Sequence, residues 1–135
     1  MMVNMNDVNA QLHFVKDISS KLEGETWRWT GKRPTVKVLL VKTRGLKLVS
    51  DFTVWEGTLP QTGPVTISFY TDDKLLDKMR VDTPGYKHFE KEVNPDWLQT
   101  ANETMIAAEI DKLYVAPEDG TKLGFILTRL GFERQ

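Results

Sequence analysis

At 135 residues the chain has room for one domain with a sizeable core and little room for two. Its formal net charge of −1 offers no basic field to draw nucleic acid or anionic lipid, and apolar runs such as Val38–Val41 are far too short to span a bilayer. With no cysteine there is no disulfide, no thiol nucleophile and no thiolate zinc site.

Residues 1–25 are polar and loosely patterned. Asn4, Asn6 and Asn9 punctuate a start expected to be a frayed, partly ordered extension. It lacks the basic-then-apolar pattern of a secretory leader, so a chain complete at this end would be cytoplasmic. Leu12–Leu22 suits either an entry strand or a short helix, because Leu12, Val15, Ile18 and Leu22 keep helical spacing.

From Thr26 to Gln135 the chain reads as strands. PTVKVLLVK and GLKLVSDFTVW are joined by Thr43-Arg44-Gly45, a hairpin signal with glycine where a positive φ is needed. Glu56–Pro64 is a loop of turn-formers. VTISFYT and KLLDKMRV flank Asp72-Asp73, a second hairpin signal, and Asp82–Gly85 is a turn with proline at a useful position. YKHFEKEV alternates as a strand, and NPDW opens a single helical turn with Asn94 as cap and Pro95 first. Glu103–Val115 fits helix by composition and strand by the alternation of Ile106, Ala108 and Ile110. After the turn APEDGT, KLGFILTRLGF closes the chain as a strand apolar on both faces. About eight strands with turns every 8–12 residues predict an antiparallel all-β sandwich.

TWRWTG, Thr26–Gly31, places two tryptophans on one face of a strand. They are either a pair of core indoles or an open platform for a sugar ring or a base. The polar phase of a strand usually faces water. Here that phase is Thr26, Arg28 and Thr30, which points Trp27 and Trp29 inward. The same rule points Leu46, Leu48, Phe52 and Val54 inward, with Ser50 interrupting, and Lys47, Val49, Asp51, Thr53 and Trp55 outward. It points Val65, Ile67 and Phe69 inward and Tyr70 outward, and it separates Phe89 from Tyr86, His88 and Glu90. Trp55, Tyr70 and Tyr86, with Asp51 and Glu90 as polar neighbours, are therefore the candidate ligand-binding residues. An aromatic plane beside hydrogen-bonding groups suits the apolar face and hydroxyl rim of a sugar.

Catalysis needs a nucleophile with a base, an acid–base pair or a metal. The serines sit in no nucleophile elbow, and His13 and His88 have no ligand-spaced neighbours. His88 reads as a solvated histidine. Asp72-Asp73 and Glu118-Asp119 lack the alternating acids of a calcium loop and read as turn residues. No catalytic residue, metal or cofactor is expected, and the chain reads as no enzyme.

TWRWTGKR, PGYKHFEKEV and EIDKLYVAPEDGTKLGFILTRLGF together resemble a small β-sandwich module appended to bacterial glycosyltransferases and other glycan-related enzymes, similar to jelly-roll accessory modules that bind carbohydrate. The likeness runs from about Thr26 to Phe132. It implies an accessory domain without catalytic residues and a strand at Glu103–Val115. Two functions follow as expectations: a glycan-binding accessory module, or a structural β-sandwich that engages a partner protein and no small ligand.

Overall fold

The computed structural model describes every residue from Met1 to Gln135. Its strands are β1 (Met2–Asn4), β2 (Phe14–Ile18), β3 (Arg28–Val38), β4 (Leu46–Val54), β5 (Val65–Thr71), β6 (Lys74–Val81), β7 (Gly85–Glu92), β8 (Thr104–Ile110), β9 (Tyr114–Val115), β10 (Lys122–Leu123) and β11 (Ile126–Arg134). Eight of these have five or more residues, as the sequence predicts; β9 and β10, two residues each, are too short to leave a period-two pattern. Every pairing is antiparallel.

Nine of the strands follow one path, β6-β5-β8-β3-β11-β4-β7, with β1 added to β11 and β2 to β3, while β9 and β10 pair in a small sheet of their own. The long strand β3 serves both layers of the sandwich. Arg28 and Trp29 at its start pair with β11, whereas Thr35–Val38 at its end pair with β8. One layer is thus β3-β11-β4-β7 and the other β3-β8-β5-β6, and the end strands β6 and β7 adjoin so that the sheet nearly closes. Between the layers lies a cluster of 25 buried residues, including Leu48, Phe52, Ile67, Phe69, Ile106 and Leu127. Phe69 stacks on Phe89 with ring centroids 3.8 Å apart, joining the two layers at their closing edge.

Local expectations fare unevenly. Asp72 and Asp73 both take positive φ (46° and 67°) between the paired strands β5 and β6, as a primed hairpin turn requires. Asn94 caps the turn Pro95–Trp97 by accepting from Asp96 N at 2.9 Å. Glu103–Val115 contains β8, with Ile106, Ala108 and Ile110 in the core.

Three readings need correction. Gly45 does take a positive φ (69°), but no hairpin forms there: β4 pairs with β11 and β7, so Leu39–Gly45 crosses from one layer to the other. The loop Glu56–Pro64 holds one helical turn, α1 (Leu59–Thr62). The start of the chain is not frayed. β1 pairs with β11, and Val3 and Met5 are buried in the core, because alternation in MVNM places two apolar side chains where β11 leaves room. Leu12–Leu22 takes its entry-strand reading as β2; a 3₁₀ turn at Ala10–His13 precedes the strand, and Leu12, Val15 and Leu22 are exposed and form no helical face.

Candidate functional site

Residues directly opposite one another in a sheet share a face. Arg28, Leu127 and Phe52 form one such row across β3, β11 and β4, and Leu127 and Phe52 belong to the core. The next row, Trp29–Ile126–Thr53–Tyr86, therefore faces outward. This reverses the expected phase of Thr26–Thr30. Arg28 and Thr30 are buried, and Trp27 and Trp29 are only half-buried, on the outer face.

Arg28 is buried because the chain supplies it with acceptors. Its Nε donates to Met5 O at 3.1 Å, and Nη1 donates to Ser20 O at 2.8 Å and Ser19 O at 3.2 Å. Its guanidinium also lies 5.1 Å from the Phe14 ring centroid. Polarity alone does not force a side chain into water when its donors are met inside.

Trp27 and Trp29 meet at right angles (centroids 6.0 Å, 84°), and Trp29 meets Trp55 similarly (5.8 Å, 77°). The three indoles line an open cleft of about 630 Å³ together with Glu23, Thr26, Thr53, Ile126 and Thr128. Two glycines seat the outer rings. A Cβ on Gly24 would come within 2.7 Å of Trp27 Nε1, and one on Gly57 within 2.4 Å of the Trp55 ring. Gly24 also takes φ +50° in the tight loop closed by Glu23 N–H to Trp27 O at 2.8 Å. Substituting Gly57→Ala should drive the Trp55 ring off its seat. We expect a changed tryptophan fluorescence spectrum with a melting temperature close to wild type; an unchanged spectrum would show that the seat does not position the ring.

Further along the same face, Arg129, Asp51 and His88 form the next outward row. A one-residue bulge at Thr128 in β11 makes it possible. Leu127 points inward, and without the extra residue Arg129 would do the same. Asp51, only 6% exposed, accepts from Arg129 Nε through Oδ2 and from Tyr86 Oη through Oδ1, and His88 Nδ1 lies 2.5 Å from Oδ1. Burial alone would raise the Asp51 carboxyl, but these three hydrogen bonds outweigh it and hold the group below the usual carboxylate range. His88 Nε2 in turn lies 3.5 Å from Glu90, which pairs with Lys47, and Arg129 also reaches Glu133 at 3.3 Å. The carboxylate of Asp51 is fully engaged, so the row is a braced polar ladder.

Of the residues singled out from sequence, Trp55, Asp51, Tyr86 and Glu90 lie on this one face. Trp55 belongs to the cleft, and the other three to the ladder. Tyr70 is elsewhere: it stands on β5 in the other layer, its ring 4.1 Å below the guanidinium of Arg33, which pairs with Glu109 and Asp73. Strand phase points Trp27 and Trp29 away from the open-platform reading that the structure favours, and sequence reasoning missed Glu23 and Thr128 as cleft residues and His88 and Arg129 as ladder members. Gly24 and Gly57, each within three residues of a tryptophan, were the available signal. Of the acids weighed as calcium ligands, Asp72 Oδ1 accepts from Met105 N–H, Asp119 Oδ1 accepts from Thr121 N–H, and Asp73 pairs with Arg33. No helix is long and apolar enough to cross a membrane.

Compared with known proteins, the chain matches no family model and no curated sequence.

Proposed function

We propose that the chain is a non-catalytic carbohydrate-binding module that holds sugar rings in the cleft of Trp27, Trp29 and Trp55, and that it serves as an accessory to glycan-related enzymes. The observation that carries this reading is the cleft itself: three indoles on an open sheet face, rimmed by the hydroxyls of Thr26, Thr53 and Thr128 and the carboxylate of Glu23. A pyranose presents C–H faces that pack on indole and hydroxyls that need such a rim. The cleft volume falls within the range of small-ligand sites. Each edge-to-face pair contributes about 0.5–1.5 kcal/mol beyond burial, so the rings brace one another before any ligand arrives. That bracing limits the ordering cost of binding. The likeness of TWRWTGKR and DGTKLGF to glycan-associated β-sandwich modules supports the same reading.

Titrating a panel of oligosaccharides while following tryptophan fluorescence tests it. Wild type should give a saturable change, and Trp29→Ala should weaken it about tenfold or more, a loss of ~1.4 kcal/mol. A wild-type protein silent towards every glycan overturns this reading and favours a partner-protein domain.

A further inference from the structure

The tryptophan cleft does not end at Trp55. On the other side of that residue lies a second open cleft of about 240 Å³, walled by Glu56, Pro84 and Gly85, and the two clefts share Thr53 and Trp55. Trp55, 44% exposed, is thus a ridge standing between them. The smaller cleft is below the range of a site in its own right, but as a continuation of the larger one it lengthens the groove. Trp29 on β3, Ile126 on β11, Thr53 on β4 and Gly85 on β7 line the two clefts, so the groove crosses three strand spacings, about 14 Å. That span suits a trisaccharide or longer chain lying across the strands, and a single ring would leave Trp55 with one face empty.

The lining also fixes the charge that fits. Neither cleft is lined by a lysine, arginine or histidine, and each carries one carboxylate, Glu23 in the larger and Glu56 in the smaller. Of the nearby cations, Lys21 lies 3.7 Å from Glu23, Lys47 pairs with Glu90, Arg129 pairs with Asp51 and Glu133, and Lys87 Nζ donates to Thr83 Oγ1, outside both linings. A uronate or sulfate placed here would lose its hydration and meet no cation, which is costly for any buried or half-buried charge.

Resting on the carbohydrate reading above, we infer that the ligand is an uncharged glycan chain of at least three rings, bound along its length over Trp55 and not at a terminal sugar. The experiment uses the full chain with cello-, chito-, manno- and malto-oligosaccharides from disaccharide to hexasaccharide, and oligogalacturonates of matched length. Affinity for the best neutral series should rise about tenfold or more with length, an increment of ~1.4 kcal/mol, before levelling off. Pro84→Ala, which opens the wall of the smaller cleft, should flatten that rise, and a length dependence as steep as wild type would overturn the part assigned to the smaller cleft. Equal affinity for disaccharide and hexasaccharide overturns the groove while leaving the carbohydrate reading intact. Preference for oligogalacturonates overturns the charge assignment. Silence towards all of them overturns both.

Discussion

Arg28→Ala is expected to destabilise the protein by about 2–4 kcal/mol, with the unmet buried carbonyl of Met5 contributing ~1–3 kcal/mol and the part-buried carbonyls of Ser19 and Ser20 less. The guanidinium is the meeting point of three segments. It ties Met5, just past β1, and Ser19 and Ser20, just past β2, to the first residue of β3. Truncation would leave the Met5 carbonyl facing a void and those of Ser19 and Ser20 open to water, and it would remove the cation over the Phe14 ring. Arg28→Lys should not restore the loss, because one ammonium cannot reproduce a planar fork aimed at carbonyls on two segments. Urea unfolding measures the cost, and limited proteolysis locates it. Cleavage within residues 1–25 should accelerate before the rest of the sandwich opens. If Arg28→Ala unfolds like wild type, the extension is held by its strand pairings, β1 with β11 and β2 with β3, without the guanidinium.

The fate of that one residue also explains where sequence reasoning succeeded and where it failed. Strand alternation depends on which face is wet, and for β4 and β5 the apolar residues decide it without ambiguity. Leu48, Phe52, Ile67 and Phe69 went inward as read. The segment around Thr26–Thr30 offered two tryptophans against one arginine and two threonines, and polarity was weighed over size. The deciding fact, three carbonyls converging from residues 5, 19 and 20, is non-local and leaves no mark near Arg28. The phase was therefore inverted, and the cleft was missed with it. Trp55 was found because its own strand had clear phasing, so one wall of the site was legible and the other two were not.

The ladder shows a different limit. Asp51, Tyr86 and Glu90 were read as outward, and they are on one outer face, but outward is not exposed. Asp51 is covered by Arg129, whose position depends on a bulge that β11 reveals only in its register with β4. An apolar run such as FILTRLGF reads equally well with or without an extra residue, and period-two reasoning cannot place a bulge. The missing β3–β4 hairpin has the same origin. Turn chemistry at Gly45 specified a local reversal, whereas the choice of strand partner was made by burial across the sandwich.

Removing the centre of the ladder should be costly. Asp51→Ala leaves the cation of Arg129 without its main partner and strands Tyr86 Oη and His88 Nδ1, and we expect a loss of about 2–3 kcal/mol, the scale of hydrogen bonds to charged groups that keep some solvent access. The pH dependence carries a sharper signature. The Asp51 carboxyl titrates below its ordinary value in the folded protein, so the unfolded chain takes up its proton first as pH falls. Its contribution is complete above the unfolded pKa of about 3.9 and is lost as pH drops through the lower folded value. Asp77, Glu90 and Asp119 are depressed in the same sense and act in the same acidic range. The diagnostic is therefore the difference between wild type and Asp51→Asn. Urea unfolding from pH 6 downward should show wild type losing stability more steeply than the variant below about pH 4, so that the two curves converge in acid. Curves that stay parallel through that range would mean that Asp51 holds no charge advantage in the fold, and that Arg129 is positioned by Glu133 and its strand alone.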